Sequence, residues 1–172
     1  MFLNYLKDFS TKNIVKNSLS NVKHLASDKV IKTVGIIFDE SYFNEREALI
    51  AELIKNNSTE TDIQVLVYKD KIKKNEVFDY PIFCHKDLSW LGTVDKKEVK
   101  DFIAQPFDLL INYYDTEKVA LLLVSHLSKA SFKVGFASID KRLNHFMINT
   151  NAENYKVFID ELFKYLKILK KI

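Results

Sequence analysis

Two carboxylates and a hydroxyl follow the first segment that has the composition of a buried strand, residues 32–38. Asp39, Glu40 and Ser41 stand where nucleotide-binding α/β folds hold phosphate. This loop contains no glycine and its acids repel phosphate, so the usual nucleotide fingerprints are absent. The carboxylates suit a cation or a hydroxylated ligand. They also suit the positive end of the helix that follows, which is the commoner role of acids at such positions.

A second candidate group follows the apolar run 107–112. It consists of four neighbouring residues at the end of that run: Asn112, Tyr113, Tyr114 and Asp115. Tyrosine rings beside an amide and a carboxylate suit stacking and hydrogen bonding to a small ring or a sugar. In the alternative interpretation, Asp115 or Thr116 caps the next helix, and the tyrosines cover its apolar surface.

A third group joins the apolar segments 132–136 and 145–149. Ser138, Lys141 and Arg142 form a compact set of hydrogen-bond donors with fixed positive charge. Such donors bind a carboxylate or a phosphate. The alternative is a solvated charged turn, because exposed charges usually contribute little.

The residue types that most often perform catalysis or hold metals are poorly placed for either role. The four histidines do not have metal-ligand spacing, and the single cysteine, Cys84, excludes an internal disulfide and a multi-cysteine metal site. Cys84 and His85 are adjacent, and adjacent residues of a strand point to opposite faces. Ser125 and His126 fall inside a predicted helix, which is not the setting of a serine nucleophile. We therefore predict no metal, no cofactor and no catalytic residue, and we favour a non-catalytic protein.

The elements that position these residues can be predicted from periodicity. Strands are predicted at 32–38, 62–68, 107–112, 132–136 and 145–149, with a short sixth strand around 82–85. Helices are predicted at 44–56, 95–104, 116–127 and from 150 to about 169. The pairs Asp95 and Glu98, and Thr150 and Glu153, have the spacing of a capping box at a helix start.

Strands separated by helices of this length indicate a mainly parallel sheet. We predict an α/β fold, a three-layer Rossmann-like domain of five or six mostly parallel strands over residues 32–172. Right-handed crossovers bring the carboxyl ends of such strands to one edge. The loops 39–42, 112–115 and 138–142 are therefore expected to converge, and a small ligand is expected to bind there.

The N-terminal segment, residues 1–31, is predicted to be a basic amphipathic helix, chiefly over residues 2–26. The first 32 residues contain six lysines and two aspartates, so the remaining 140 carry a net charge of −1, although the whole chain carries +3. Residues 33–172 have nearly equal numbers of basic and acidic side chains and contain only two arginines. They therefore lack the basic stripe that is typical of nucleic-acid binding. Residues 2–26 are expected to pack on their own domain, or to contact a protein partner or a second copy. Peripheral contact with a membrane is the less favoured alternative.

The chain resembles an uncharacterised family of small flavobacterial (Bacteroidota) α/β proteins in three stretches: KTVGIIFDES, FDLLINYYDTEKVALLLVSHLSKASFKVGFASIDKRLNHFMINT and ENYKVFIDELFKYLKILKKI. This resemblance implies a cytoplasmic α/β domain and no assigned activity. Residues 107–136 are also similar to part of the N-terminal half of heptosyltransferase-like glycosyltransferases. Those enzymes need a second α/β half and a glycine-containing loop after the first strand, where this chain has DESYF. That similarity supports the fold and counts against transferase activity.

Three functional hypotheses follow. The favoured one is a non-catalytic interaction or adaptor protein, because no catalytic arrangement can be recognised. The others are a binding module for a small metabolite at the strand ends, and a transferase-like or hydrolase-like enzyme. A pocket with several converging polar groups at that edge would favour a ligand-binding protein. A flat edge beside a large exposed apolar patch would favour the interaction protein.

Overall fold

The computed structural model of the protein describes residues 2–19, 29–56, 62–73, 76–89 and 91–172. The helices are α1 (Phe2–Leu19), α2 (Arg46–Asn56), α3 (Lys97–Ala104), α4 (Val119–Leu127) and α5 (Tyr155–Ile168). The strands are β1 (Thr33–Asp39), β2 (Asp62–Tyr68), β3 (Ile82–Phe83), β4 (Leu109–Tyr113), β5 (Phe132–Phe136) and β6 (Phe146–Ile148). Two short 3₁₀ turns lie at His85–Asp87 and Lys141–Leu143.

The six strands form one parallel sheet in the order β3-β2-β1-β4-β5-β6. This is the order of the doubly wound Rossmann fold, in which the chain starts in the middle of the sheet and builds outward in both directions. The predicted fold class is therefore confirmed. Each predicted strand is present, with ends that differ from the prediction by at most two residues.

Helices cover both faces of the sheet. The helix α2 packs against α5 on one face, and α4 packs against α1 and α3 on the other. The inner strands β1, β4 and β5 are buried along almost their whole length. A strand covered on both faces reads as a nearly continuous apolar run, which explains TVGIIF and, apart from Lys133, FKVGF.

Gly35 lies in the middle of β1, where two aromatic rings approach the sheet closely. A Cβ atom at this position would lie 2.7 Å from the Phe107 ring and 3.1 Å from the Phe102 ring. The two rings contact each other, with centroids 4.9 Å apart. The absence of a side chain at Gly35 therefore lets α3 and the segment before β4 pack directly on the β1 backbone.

The helix starts differ from the capping predictions, which are wrong for Asp95 and Thr150. The N-cap residues of α3 and α5 are Lys96 and Asn154, and neither has a side-chain cap. Asp95 instead continues the loop before α3, where its N–H donates to the Asp87 carbonyl. Before α5 the chain first makes a local turn, so the helix begins several residues after Thr150.

The start of α4 also differs from the capping prediction, in which Asp115 was a candidate cap. The N-cap residue is Lys118, again without a side-chain cap. The carboxylate of Asp115 accepts a hydrogen bond from Ala152 N at 2.8 Å and so ties the β4 loop to the chain before α5. This long-range bond holds the Asp115 carboxylate away from the helix start.

The helix α1 confirms part of the predicted N-terminal helix. Residues 20–26 of the prediction lie outside the described residues, as do the side chains of the apolar stripe at residues 2–9. The second half of α1 packs on α4, and Val15 and Leu19 are buried. No described helix is both long enough and apolar enough to cross a membrane.

Candidate functional site

The strand order creates a crevice at one edge of the sheet. The strands β1 and β4 are neighbours, but the helices that follow them, α2 and α4, lie on opposite faces. In open α/β sheets, ligands bind at such a switch point, beyond the carboxyl ends of the strands. The loops that follow β1 and β4 therefore form the walls of this crevice.

The three predicted loops meet at this edge. Ser138 Oγ donates to the Asp115 carbonyl at 2.8 Å, and Asp140 N donates to Glu117 Oε1 at 3.1 Å. Asp39 Oδ2 lies 2.8 Å from Lys118 Nζ. These contacts join the segments after β1, β4 and β5. The binding of a ligand there stays a prediction.

The two acidic residues at the end of β1, Asp39 and Glu40, have protein partners. Asp39 is buried and accepts a hydrogen bond from Ser41 N at 3.0 Å. Glu40 accepts a hydrogen bond from Tyr80 Oη at 3.0 Å and lies 3.4 Å from both Arg46 Nη1 and Lys69 Nζ. Ser41 Oγ accepts a hydrogen bond from Asp70 N at 3.2 Å. Asp39 and Ser41 therefore hold the turn after β1 through these contacts, while Glu40 binds Arg46, Lys69 and Tyr80.

Asn112 and Tyr114 point toward α4 and join a buried hydrogen-bond network. Ser125 Oγ donates to Asn112 Oδ1 at 2.8 Å, and the Tyr114 hydroxyl lies 2.6 Å from Ser125 Oγ. Asn112 Nδ2 donates to Asn144 Oδ1 at 2.7 Å. Burial raises the pKa of Tyr114, so its hydroxyl stays protonated and can donate to Ser125. Neither side chain reaches the surface, and removal of the Tyr114 ring would open a cavity in the core.

Tyr113 points to the opposite face, as expected for neighbours on a strand. Its ring lies 5.5 Å from Phe38, 5.1 Å from Phe136 and 5.1 Å from Phe158, measured between centroids. Its hydroxyl donates to the Ala152 carbonyl at 2.6 Å. Burial, followed by the nearby carboxylate of Asp115, raises the pKa of Tyr113. The two adjacent tyrosines thus lie in different layers of the core.

The last predicted group lies on the turn after β5. Ser138 and Lys141 are exposed, and Arg142 forms an ion pair with Asp140, with Nη2 2.6 Å from Oδ2. Hydrogen bonds from Arg142 lower the pKa of Asp140 to about 2. Arg142 Nη1 also donates to the Lys16 carbonyl of α1 at 3.2 Å. Arg142 therefore connects the turn to α1.

An open cleft of about 770 Å³ lies beside these loops, on the face covered by α1 and α4. It has the size of a pocket for a small ligand. Eleven residues from α1, the loops after β1 and β2, the first 3₁₀ turn and the start of α4 line it: Lys12, Asn13, Lys16, Tyr42, Tyr68, Asp70, His85, Glu117, Lys118, Val119 and Ala120. None of these eleven belongs to the ten residues predicted above.

Lys118 is the central cation of the cleft. Its Nζ lies 2.8 Å from Asp39 Oδ2 and 3.1 Å from Asp70 Oδ1, and the side chain is 14% exposed. The rings of Tyr42 and Tyr68 lie 4.7 and 4.9 Å from the same nitrogen. The Lys118 ammonium and the carboxylates of Asp39 and Asp70 stabilise one another. Lys118 therefore holds the ends of β1 and β2 in position.

The outer wall of the cleft is basic. Lys12 and Lys16 lie one helical turn apart on α1, and Lys12 Nζ is 3.7 Å from Glu117 Oε2. Among the described residues, no carboxylate oxygen lies within 4 Å of Lys16 Nζ. Tyr42 stands at the mouth with 78% of its surface exposed.

Sequence reasoning missed these lining residues for two reasons. Tyr42 and Lys118 lie within three residues of predicted positions, so the predicted segments reach the cleft, but the predicted side chains do not line it. Lys12 and Lys16 were assigned to an N-terminal helix whose docking position has no sequence signal. The described residues include no group of three or more His, Cys, Asp or Glu side chains that could hold a metal ion.

Comparison with the curated proteins and with the solved structures finds no match. A family profile described as "Family of unknown function (DUF6913)" matches residues 7–169, from α1 to the end of α5. The expectation that the chain belongs to an uncharacterised family is therefore confirmed. By this match over nearly its whole length, the chain belongs to the family of unknown function DUF6913.

Proposed function

We propose that the protein is a non-catalytic binding module for a small polar metabolite, which occupies the cleft between α1 and α4. The observation that carries this proposal is the position of the cleft. It opens beside the β1–β4 switch point and is lined by charged and aromatic side chains from five separate segments. Polar groups that converge in a concave site at this edge are typical of ligand binding in such folds.

The cleft also supports this function better than it supports the two other hypotheses. An interaction or adaptor protein was expected to present a flat edge beside an exposed apolar patch, whereas this edge is concave and polar. An enzyme would need an activated nucleophile or a general base within reach of a substrate. The carboxylates Asp39 and Asp70 are instead paired with Lys118, so the cleft is better suited to holding a ligand than to attacking it.

The proposal includes where in the cell, and in which bacterial group, the protein acts. The resemblance to small flavobacterial proteins supports a cytoplasmic protein of that bacterial group, which would meet the ligand among the dissolved metabolites of the cell. The family that the chain resembles has no assigned activity, so the resemblance gives no support to an enzyme.

Equilibrium dialysis against a metabolite extract, followed by mass spectrometry of the retained compounds, tests the proposal. Asn13→Trp places a large ring in the cleft from the exposed face of α1, without touching the core. Ser10→Trp is the matched control, because Ser10 is exposed on the same helix and does not line the cleft. We expect the wild type and Ser10→Trp to enrich the same compound and Asn13→Trp to enrich none. Equal retention by all three proteins, or retention by none, would overturn the proposal.

A further inference from the structure

We infer that the ligand of this cleft combines an anionic group, bound by Lys12 and Lys16, with a planar ring that stacks on Tyr42. This inference rests on the proposed function, because it assigns a chemical class to the occupant of the same cleft. It follows from which cations of the cleft are already neutralised, and from which aromatic ring is free to stack.

Lys118 is not the anion-binding group. Its ammonium is shared by two carboxylates, with oxygens at 2.8 and 3.1 Å. An anionic ligand group placed against it would also approach Asp39 and Asp70, and like charges at that distance repel. The centre of the cleft therefore disfavours an anion, and the ligand's charged end must lie elsewhere.

The α1 wall provides the remaining positive charge. Lys12 and Lys16 are spaced i, i+4, so both ammonium groups extend from the same face of the helix. Among the described residues, Lys12 has one carboxylate neighbour, Glu117, at 3.7 Å. This partly exposed pair is longer than the two contacts of Lys118 and contributes less. Within the described part of the chain, Lys16 has no salt bridge within 4 Å, and Asp140, whose charge also interacts with that of Lys16, is paired with Arg142. Two flexible ammonium groups on one wall suit a phosphate or a carboxylate, which accepts several charge-assisted hydrogen bonds.

Tyr42 provides the surface for the ring. It is 78% exposed, while Tyr68, the other tyrosine of the cleft, is buried. One face of the Tyr42 ring lies toward Lys118 Nζ, at 4.7 Å, and this contact holds the ring over the cleft. An exposed aromatic ring held in this way can stack with a planar group that enters the mouth. The anion of the ligand would then lie against α1, and its ring would lie against Tyr42.

Three commercial probes separate the two parts of this inference. Adenosine 5′-monophosphate carries both a planar ring and a phosphate, adenosine lacks the phosphate, and ribose 5-phosphate lacks the ring. Titrations of the full-length protein are followed by NMR shifts of the amides of residues 12–16, 42 and 118–120. We expect adenosine 5′-monophosphate to bind about tenfold more tightly than either fragment, because one charge-assisted contact or one stacked ring contributes about that factor.

Two variants assign the contacts, and a third serves as their control. Lys16→Gln should weaken binding of adenosine 5′-monophosphate about tenfold and leave adenosine binding unchanged. Tyr42→Leu should weaken adenosine binding and leave ribose 5-phosphate binding unchanged. Lys100→Gln, at an exposed position of α3 outside the cleft, should change neither.

The outcomes separate the inference from the proposed function. If adenosine binds in the cleft as tightly as adenosine 5′-monophosphate, or if Lys16→Gln has no effect, the anionic assignment is wrong although the cleft still binds a ligand. If none of the probes shifts the cleft amides, the assigned ligand class is wrong, and the dialysis experiment alone decides whether the cleft binds another compound. A metabolite retained in that dialysis that has neither an anionic group nor a planar ring would also overturn the inference.

Discussion

Lys133 is a buried lysine whose surroundings constrain its chemistry. It points from β5 toward α4, and its Nζ donates to the Ser125 carbonyl at 2.6 Å, in the last turn of that helix. Carbonyls at the end of a helix have no hydrogen-bond partner within the helix, and a buried ammonium can donate to them. Its positive charge is also stabilised by the negative end of the helix dipole. Burial lowers the pKa of Lys133 to about 8. The residue therefore stabilises the end of α4 through its hydrogen bonds, but carries a desolvation cost while it is charged.

This balance predicts a pH dependence of stability. Between pH 8 and about 10.5 the unfolded chain still binds the proton that folded Lys133 has released, so the free energy of unfolding rises with pH. The rise from this group is about 3 kcal/mol over the window. We expect the free energy of unfolding of Lys133→Met not to show this rise. Urea unfolding of both proteins at pH 7.5 and 9.5 measures it, and the stability of the wild type relative to the variant should be greater at pH 9.5 than at pH 7.5. Parallel pH profiles would show that the Lys133 ammonium is not desolvated as described.

Among the elements, α1 has the greatest influence on the cleft, because it forms one whole wall. Several contacts dock its second half on the domain. Val15 and Leu19 are buried, Ser18 Oγ lies 2.8 Å from His126 Nε2, and Arg142 binds the Lys16 carbonyl. Burial, followed by the charge of Lys133, lowers the pKa of His126, which favours the neutral ring at this contact. The cleft therefore exists only while α1 is docked.

This docking can be tested with one substitution on each side of α1. Leu19→Ala is expected to lower the free energy of unfolding by about 2–3 kcal/mol, because it removes a buried side chain from the α1–α4 contact. Ile14→Ala, on the same helix and 43% exposed, should cost less than about 1 kcal/mol. Thermal unfolding of both variants checks the difference, and liposome sedimentation of the wild type checks the membrane alternative. Equal, small effects of both substitutions would mean that α1 is not part of the folded domain.

At the scale of the whole molecule, Lys118 connects parts of the chain that lie far apart in sequence. Asp39 is the last residue of β1, Asp70 follows β2 and Lys118 precedes α4, and their charged groups meet at the carboxyl ends of the strands. The strand order makes this meeting possible, since β2, β1 and β4 are consecutive neighbours. Removal of one partner from such a group leaves a buried carboxylate without its counter-ion.

Lys118→Met is therefore expected to lower the free energy of unfolding by about 2 kcal/mol, less than for a fully buried pair, because Asp70 is 43% exposed. The double variant Asp39→Asn, Lys118→Met should recover at least half of this loss, since no unpaired charge remains buried and the amide oxygen introduced at position 39 can still accept the Ser41 N–H. Chemical unfolding of the two single variants and the double variant forms a cycle that measures the coupling. Strictly additive losses would contradict the role of Lys118 in connecting the loops.

Much of the architecture is visible in the local pattern of the chain. The runs around β1, β4 and β5 are mainly apolar because both faces of these strands are covered, and the spacing between the predicted strands indicates helical crossovers. The helix starts were harder to predict. Asp95, Asp115 and Thr150 have the residue types of caps, but long-range bonds such as that from Ala152 N to Asp115 compete with capping. Local propensity cannot account for a partner 37 residues away.

The sequence by itself determined the α/β class, the parallel sheet and the edge at which three loops meet, because each of these depends on periodicity or on crossover handedness. Only the tertiary structure decided which side chains at that edge face the cleft. Tyr113 and Tyr114 become core residues in opposite layers, while Tyr42, Lys118 and two lysines of α1 line the cleft. The physical reason is that burial and exposure depend on how helices pack across the sheet. That packing is a property of contacts between distant segments, which a single sequence does not display.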